Sequence, residues 1–367
     1  MERLGQTTTG TWPPPMYAAP LDERQTQLQQ TVAGVLTIEA VRTGDKEITF
    51  SGQLRGNADQ AFYWLQPRLN ALGYTPVLRH GRDGDEIVAV EGVIAESRSN
   101  WLINIVLFAL TVVSVFFVGM QIWSGWGAIV FTVGLLGVLG VHEFGHYIVA
   151  KIHGMAVTLP YFIPLPIPPL GTLGAFIRLK SPIWDRKALF DMAVAGPLAG
   201  FFIALPIFIL GLLLPYEWVR PLLPARPTLL IPLAESRLVE FLVNLLQPGL
   251  GRFDLFRNPL TAVGWFGLLV TALNLLPAGQ LDGGHISYAV FGKWARPLAL
   301  VTFAALILLG WLYWPGWYIW AFMLLLTGLR HPSPLNDITR LDPLRILVAV
   351  FCGVLFLLII ALQPFPM

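Results

Sequence analysis

The segment WGAIVFTVGLLGVLGVHEFGHYIVAK, residues Trp126–Lys151, is an almost continuous run of apolar side chains. It is longer than the about 20 residues that an α-helix needs to cross the hydrocarbon core of a bilayer. Its second half nevertheless carries His142, Glu143 and His146. Placing an ionisable side chain inside a membrane span costs free energy, and such residues usually serve a function. The segment therefore predicts a membrane helix that carries a functional site.

Further apolar runs on both sides of this segment indicate a polytopic α-helical membrane protein. The chain is 55% hydrophobic and only 13% charged over 367 residues, which excludes an ordinary soluble protein. One run is short and can pair with the run before it as a helical hairpin, so we expect six or seven spans. The further runs are Trp101–Met120, Ala188–Leu214, Pro259–Leu276, Pro297–Tyr313, Trp317–Leu329 (the short one) and Leu344–Leu362.

The polar residues before the first span predict a small soluble domain. Residues 1–97 hold 12 of the 22 acidic side chains and 8 of the 24 basic ones. Residues 1–31 lack a hydrophobic period and predict a flexible tail. Residues 32–99 contain strand-like and helical stretches separated by Gly-rich turns, which predict an α+β regulatory domain. Residues 100–367 form the predicted transmembrane domain.

The net charge and its distribution along the chain limit the partners that the protein can bind and indicate how it is oriented in the membrane. The net charge of +2 leaves no basic excess, so we expect no nucleic-acid partner. Ten Lys and Arg residues lie in the short loops on the side of the N-terminal domain, against five on the opposite side. Cytoplasmic loops carry the excess of positive charge. We therefore expect a multi-pass protein whose N-terminal domain and active-site end are cytoplasmic, or stroma-facing in a plastid or thylakoid membrane.

The H-E-x-x-H spacing of His142, Glu143 and His146 predicts a metal site. Residues four apart share one face of a helix, so both imidazoles can bind one zinc ion at about 2.0–2.1 Å. Glu143 lies beside them and can deprotonate an attacking water. The alternative is that these residues form a polar seam between packed helices. The free energy needed to bury three ionisable groups at membrane depth disfavours this alternative.

A catalytic zinc ion usually takes a third protein ligand. His153 lies about 10 Å further along the same helix and cannot reach the same ion. Asp191 and Asp282 remain as candidates. Asp282 ends an irregular segment that begins at Asn274, and irregular backbone at membrane depth lines a cavity or is buried in protein. We therefore favour Asp282 as the third ligand over the alternative that it belongs to an ordinary interfacial turn. We assign Asp191 a structural role at a helix N-terminus.

Three motifs together resemble the site-2 protease family of intramembrane zinc metalloproteases. They are the H-E-x-x-H motif inside a span, the Ala195-Gly196-Pro197 seam, and N-x-x-P-x-x-x-x-D-G-G over Asn274–Gly284. The resemblance covers roughly Gly140–His285. It implies one zinc ion per chain, held by His142, His146 and Asp282. It also implies Glu143 as the catalytic base and Asn274 as a side chain that holds the substrate carbonyl or its oxyanion.

A finer resemblance points to the plant-chloroplast and cyanobacterial branch of that family. It rests on the polar N-terminal domain, the loop Gly171–Phe176 and His331-Pro332. Many bacterial members carry a PDZ domain between the Gly-Pro span and the Asn/Asp span. Here Pro215–Asn258 is too short for one.

The activity that the resemblance implies is zinc-dependent cleavage of the transmembrane segments of single-span membrane proteins, as in regulated intramembrane proteolysis. A helical substrate shields its own amides, so it must unwind before it is cleaved. Residues 158–180 predict a membrane-dipping hairpin that binds the substrate as an added β-strand, with a plain amphipathic loop as the alternative. The substrate-binding residues of this hairpin would be Gly174, Ala175, Phe176 and Ile177. Further expected partners are membrane lipid and a soluble partner of the N-terminal domain.

Two other functions fit part of the pattern. In a transporter or ion channel, His142, Glu143 and Asp282 would form a permeation or proton-relay site. Ion relays do not require a His pair four residues apart with Glu directly between, so this function ranks lower. The second alternative is an inactive protease homologue that acts as a membrane chaperone. It is disfavoured because all the motif positions are intact.

Overall fold

A computed structural model describes residues 18–81, 84–93, 100–223, 236–250 and 252–365. The chain divides into two compact units, Met1–Ile94 and Ala95–Met367. Residues 1–17 of the predicted tail lie outside the described residues, as do residues 94–99, where the soluble and transmembrane domains are predicted to join.

The first unit is a four-stranded antiparallel sheet with two helices. The strand order is β1-β2-β4-β3, so the two central strands are β2 and β4. Phe50 of the sheet and Phe62 and Leu65 of the second helix are fully buried or nearly so and form much of the core. The small α+β domain is thereby confirmed. Its elements are α1 (Ala18–Ala33), β1 (Leu36–Thr43), β2 (Glu47–Leu54), α2 (Ala58–Ala71), β3 (Tyr74–His80) and β4 (Asp85–Glu91).

Helix α1 differs from the flexible tail that the sequence predicts over residues 1–31. Leu28 and Val32 are four residues apart on one face of this helix, and both are completely buried. Among the side chains of α1 that the structure describes, these two are the only buried ones, and so weak a hydrophobic period does not reveal the helix in the sequence. Packing against the rest of the unit stabilises the helix instead.

The second unit is a bundle of apolar helices. Among the described residues, four segments are long and apolar enough to cross a membrane: Trp101–Ile122, Gly125–Ile152, Arg186–Leu213 and Asp282–Leu312. Three shorter apolar helices lie where the remaining spans are predicted. The predicted polytopic helical class is therefore confirmed. The helices are α3 (Trp101–Ile122), α4 (Gly125–Ile152), α5 (Arg186–Leu213), α6 (Tyr216–Val219), α7 (Arg237–Leu246), α8 (Arg252–Arg257), α9 (Pro259–Asn274), α10 (Asp282–Phe291), α11 (Ala295–Leu312), α12 (Trp317–Thr327) and α13 (Pro343–Ile359).

Helices α4, α5 and α9 pack together at the centre of this bundle. Glycines bring them into close contact: a Cβ atom at Gly145 would lie 2.7 Å from the carbonyl oxygen of Ala195, and one at Gly267 would lie 2.5 Å from the Ala204 Cβ. Small residues at such contacts let membrane helices approach closely. The seam predicted around Gly196 is therefore present, and it places α5 directly against the H-E-x-x-H helix.

The segment between α4 and α5 is a β-hairpin, as predicted. Strands β5 (Tyr161–Pro164) and β6 (Thr172–Phe176) pair antiparallel, and a further bridge joins Val157 to Leu179. Helix α3 holds the hairpin through two side chains. Asn104 Nδ2 donates to the carbonyl of Leu159 at 2.8 Å, and Ser114 Oγ donates to the carbonyl of Gly171 at 2.7 Å.

Candidate metal centre

Three side chains from α4 and α10 converge on one point. His142 Nε2 and His146 Nε2 lie 3.2 Å apart. Each of these nitrogens lies 3.3 Å from Oδ2 of Asp282. The two histidines are buried, and Asp282 is largely so. The helical spacing of four residues brings the imidazoles together, and the fold brings Asp282 to them from a position 140 residues away in the sequence.

This triangle of donor atoms fits a tetrahedral zinc ion. Zinc–ligand distances of about 2.0–2.1 Å in tetrahedral geometry place neighbouring donor atoms about 3.3 Å apart. Nδ1 of His146 lies 2.7 Å from the carbonyl oxygen of Met192, an acceptor, so this nitrogen carries the proton and donates. In the neutral ring the Nε2 lone pair then faces Asp282 and His142. A cation between the three acceptors removes their mutual repulsion, and a hydrogen bond from the distal nitrogen of a ligand His is the usual support of such a site.

Two glycines of α5 make room for the imidazole rings. A Cβ atom at Gly196 would lie 2.0 Å from His146 Nε2, and one at Gly200 would lie 3.0 Å from His142 Nδ1. The first distance is far inside van der Waals contact, so no side chain is accommodated there unless the ring moves. The Gly-Pro seam therefore has a role in the site itself, in addition to helix packing.

The turn between α9 and α10 sets the position of Asp282. Asp282 is the first residue of α10, and Gly283 and Gly284 follow it. A Cβ atom at Gly283 would lie 2.1 Å from the carbonyl oxygen of Leu275, and one at Gly284 would lie 2.4 Å from that of Gly279. Glycine is required at both positions because the backbone folds back on itself within this turn.

Glu143 and Asn274 lie beside the three donors. Glu143 is buried and lines the same cavity of about 270 Å³ as the two histidines and Asp282. Asn274 ends α9, and its Nδ2 lies 3.1 Å from His142 Nε2. A carboxylate and an amide thus stand next to the donor triangle, where one can take a proton and the other can hydrogen-bond an oxygen atom that approaches it.

Strand β6 and the residue after it form one wall of this cavity. Ala175, Phe176 and Ile177 line it together with Glu143. Gly174 does not appear among the lining residues. Three of the four residues predicted to bind substrate therefore border the donor triangle, and the fourth belongs to the same strand.

His153 and Asp191, which were weighed as ligands, lie apart from the triangle. His153 Nε2 lies 3.0 Å from Oδ2 of Asp191. Arg345 of α13 binds both oxygens of the same carboxylate, at 2.7 and 2.5 Å. Asp191 therefore joins α5 to the end of α4 and to α13, so its role is structural. The position predicted for it at a helix N-terminus is wrong, because α5 begins at Arg186 and Asp185 is its N-cap.

The fold also brings in groups that the sequence pattern does not single out. The Met192 carbonyl oxygen is a backbone group, so its residue type carries no signal. His285 lines the same cavity and contacts His331, whose ring stacks on Tyr288 at 4.5 Å between centroids. The spacing of three residues from Asp282 to His285 is the only signal that could have placed His285 near the site.

Comparison with known proteins is consistent with this geometry. Residues 130–310 match the model of peptidase family M50. The chain is 32% identical over 233 residues to the probable zinc metalloprotease EGY2, chloroplastic, of Arabidopsis thaliana, with 62% of this chain and 40% of that protein covered. It is 34% identical over 244 residues to the probable zinc metalloprotease EGY1, chloroplastic, of Oryza sativa subsp. japonica, with 61% and 39% covered.

A third relative is more distant. The chain is 28% identical over 187 residues to the probable zinc metallopeptidase EGY3, chloroplastic, of Arabidopsis thaliana, with 48% of this chain and 32% of that protein covered. The chain thus spans about two fifths or less of the length of these relatives. The matches confirm the resemblance to the family that the motifs indicate, and the matched relatives are named as chloroplastic proteins.

Proposed function

Residues 130–310 of this chain form a domain of peptidase family M50, the family of the site-2 proteases, and on this premise we propose that the protein is an intramembrane zinc endopeptidase. The observation that carries the proposal is the triangle of His142 Nε2, His146 Nε2 and an oxygen of Asp282, which has the edge lengths of a tetrahedral zinc site. The donors belong to helical segments that are long and apolar enough to cross a membrane, which supports an intramembrane site.

A bound zinc ion supplies Lewis-acid chemistry, which polarises the scissile carbonyl and activates water. The residues of the chain supply the remaining steps. Glu143 takes the proton of the attacking water and passes it to the leaving amine, since it lies in the same cavity as the donors. The amide of Asn274 donates a hydrogen bond to the oxygen that becomes negatively charged.

The substrate is the membrane-spanning segment of another protein, bound in extended form. Among the described strands, β6 pairs with β5 alone, which leaves its other edge open, and Ala175 and Phe176 of β6 line the cavity. An unwound substrate segment added at this edge gains main-chain hydrogen bonds in place of its helical ones. Its scissile bond then passes between Ile177 and the donor triangle.

The expected setting is a multi-pass membrane protein surrounded by lipid, with single-span membrane proteins as substrates. The excess of Lys and Arg in the loops on one side supports an N-terminal domain and active-site end that face the cytoplasm, or the stroma in a plastid. The matched relatives are named as chloroplastic proteins. The α+β unit contributes no residue to the donor triangle, and we assign it a regulatory role, with a soluble protein as partner.

The decisive experiment compares the full chain with Glu143→Gln in detergent, with and without a zinc chelator. Zinc content and cleavage of a single-span test protein are measured on the same samples. We expect one zinc ion per chain in both proteins, and cleavage by the wild type alone, which the chelator abolishes. The rate should fall by about 10²–10⁴ in Glu143→Gln, the range of general acid–base catalysis.

The other outcomes separate the remaining functions. A zinc-free wild-type protein would exclude the protease and favour the transporter or ion relay. Zinc in both proteins, without cleavage in either, would favour an inactive homologue that acts as a membrane chaperone. Cleavage that is unaffected by Glu143→Gln would exclude Glu143 as the base.

A further inference from the structure

A second cavity, of about 390 Å³, is lined in part by Pro277, Ala278 and Gly279 of the turn that carries Asp282. Three basic side chains line it: Lys293, Arg296 and Arg330. His331 also lines it, and the contact between His331 and His285 joins this cavity to the wall of the donor cavity. None of these basic residues belongs to the donor triangle or to the substrate strand.

The three cations meet because two helices form an antiparallel hairpin. Lys293 and Arg296 lie at the start of α11, and Arg330 follows the end of α12. The two helices pack closely, since a Cβ atom at Gly310 would lie 2.7 Å from the ring of Tyr318. Helix α11 has the length of about 27 Å that 18 residues give. Its basic end therefore lies at one surface of the membrane.

Among the described residues, no carboxylate neutralises the positive charge of this cavity. Over the ranges that the structure describes, no carboxylate pairs with Lys293, Arg296 or Arg330 within 4.0 Å. Both oxygens of the Asp337 carboxylate have other partners. One oxygen accepts a hydrogen bond from Arg186 Nε at 2.8 Å, and the other accepts one from the Tyr288 hydroxyl at 3.1 Å. Burial lowers the pKa of His331 to about 4, so its ring adds no charge at neutral pH.

The shape of the cavity fits a polar headgroup with its acyl chains outside. Its floor consists of small residues of the turn, Ala278, Gly279 and Gly284, together with Ala299 of α11. A volume of about 390 Å³ lies within the range of small-molecule sites. Exposed apolar side chains run along α11 and α12 away from the basic end, and they include Leu300, Val301, Phe322, Leu325 and Leu326.

We propose that this cavity binds the phosphate-bearing headgroup of an anionic phospholipid. Arg296 and Arg330 bind the phosphate oxygens in the bidentate manner of guanidinium groups, and Lys293 adds a point charge. The apolar surface beside the cavity accommodates the acyl chains and favours a lipid over free phosphate, which has the same chemistry. The bound headgroup rests on the turn between Asn274 and Asp282 and therefore stabilises it.

The test uses the full chain in micelles of a neutral detergent, and follows thermal unfolding by tryptophan fluorescence while phosphatidylglycerol is titrated in. The midpoint temperature should rise with lipid concentration, because a ligand that binds only the folded state stabilises it. The triple variant Lys293→Gln/Arg296→Gln/Arg330→Gln should bind phosphatidylglycerol about 100-fold more weakly, from about fivefold per removed cation. Zwitterionic phosphatidylcholine should give no comparable rise.

A matched control removes the same charge elsewhere. Arg220→Gln/Arg237→Gln/Arg340→Gln changes three exposed arginines that do not line the cavity, and it should keep the full response. Arg330→Glu is a second test variant. It changes one exposed side chain in a loop, so its effect does not depend on how the triple variant folds.

The changes in midpoint temperature support or overturn the proposed lipid site. A rise in midpoint that is equal in the triple variant, Arg330→Glu and the control would overturn the proposal, and so would an equal rise with phosphatidylcholine. Inorganic phosphate is titrated in a separate arm. A rise with inorganic phosphate that matches the lipid and is lost in the triple variant would overturn the lipid and identify free phosphate as the ligand.

Discussion

The imidazole of His146 occupies the space that a side chain on residue 196 would need. A Cβ atom there would lie 2.0 Å from the Nε2 atom that faces Asp282. The same ring is held from its other nitrogen by the carbonyl of Met192, also on α5. Single atoms of α5 thus decide whether the His146 lone pair points at the metal position. Residue 196 is therefore a sensitive test of the metal site that leaves every ligand in place.

Gly196→Ala should lower zinc affinity while His142, His146 and Asp282 are all retained. The added methyl group displaces the His146 ring, and displaced ligand support typically costs 10–100-fold in metal affinity, so we expect a loss of about that size. Zinc content after dialysis against a graded series of chelator concentrations measures it. Gly137→Ala on α4 is the matched control, since a Cβ atom at Gly137 has no neighbour within 4 Å. Equal zinc affinity in both variants would contradict this role of Gly196.

Asn274→Ala should reduce the cleavage rate more than it reduces zinc content. Its Nδ2 lies 3.1 Å from His142 Nε2, beside the donor triangle rather than within it. Loss of one donor to a developing oxyanion costs about 10²–10³ in kcat. Steady-state kinetics on the single-span test protein, together with metal analysis, separate the two effects. An unchanged kcat would remove Asn274 from the catalytic step.

At the scale of elements, strand β6 of the hairpin lines the cavity that contains the donor triangle. Helix α3 holds the hairpin through Asn104 and Ser114, and a Cβ atom at Gly171, whose φ is +76°, would lie 2.6 Å from the Val115 Cα. The hairpin itself was predictable from the strand-like run after a Pro-rich segment. Its attachment to α3 was not, because the contacts join residues more than 50 positions apart in the sequence.

Ile177→Pro should slow proteolysis and spare zinc content. Proline removes the backbone N–H of the residue that follows β6 and lines the cavity beside Glu143, and a segment with a missing N–H pairs poorly with a substrate strand. Ile177→Ala keeps this N–H and is the matched control. Cleavage rates and zinc content of the two variants are compared in parallel. Equal rates would show that the backbone of residue 177 takes no part in substrate binding.

Asp191→Asn should destabilise the helix bundle without changing zinc content. Arg345 would lose a charged partner that it binds through two nitrogens, and His153 would lose its partner too. For these partly exposed groups we expect a loss of about 1–2 kcal/mol, seen as a lower midpoint of thermal unfolding. Glu240→Gln, an exposed carboxylate on α7, should leave the midpoint unchanged. A midpoint as high as that of Glu240→Gln would show that Asp191 does not hold α13 to α5.

At the scale of the whole molecule, the metal site joins α4 to α10. The donors lie far apart in the sequence, and a bound ion restrains the chain between them. Helices α4, α5 and α9 supply much of the buried core of the second unit, and each of them also contributes a residue to the wall of the site. Metal binding and the stability of the bundle are therefore linked.

Chelation of zinc should lower the midpoint of thermal unfolding of the full chain. Zinc at 100 times its Kd stabilises a protein that binds it only when folded by about 2.7 kcal/mol. Because His146→Ala removes one donor, its midpoint should respond little to the chelator. The midpoint of thermal unfolding is measured for both proteins, with and without chelator. An equal fall in His146→Ala would show that the chelator acts elsewhere in the protein.

Several features could be predicted from the amino-acid sequence alone. Hydropathy is a local property, so the apolar runs predicted the positions of the membrane helices, and those of α3, α4 and α5 agree with the structure to within a few residues. The pairing of His142 with His146 follows from the helical repeat of 3.6 residues. The resemblance of three motifs to one family indicated the third donor and the zinc chemistry. Helix α1 was not predicted, because Leu28 and Val32 are the only buried residues among those of its side chains that the structure describes.

Only the tertiary structure decided which distant groups meet. The contact of Asp282 with both histidines, the Met192 carbonyl behind His146, and the convergence of Lys293, Arg296 and Arg330 depend on how the helices pack. Such contacts are set by close approach between helices through glycine and by backbone groups whose position no residue type encodes. Local pattern therefore determined the class of protein and the chemistry of its residues, whereas long-range packing determined the geometry in which those residues act.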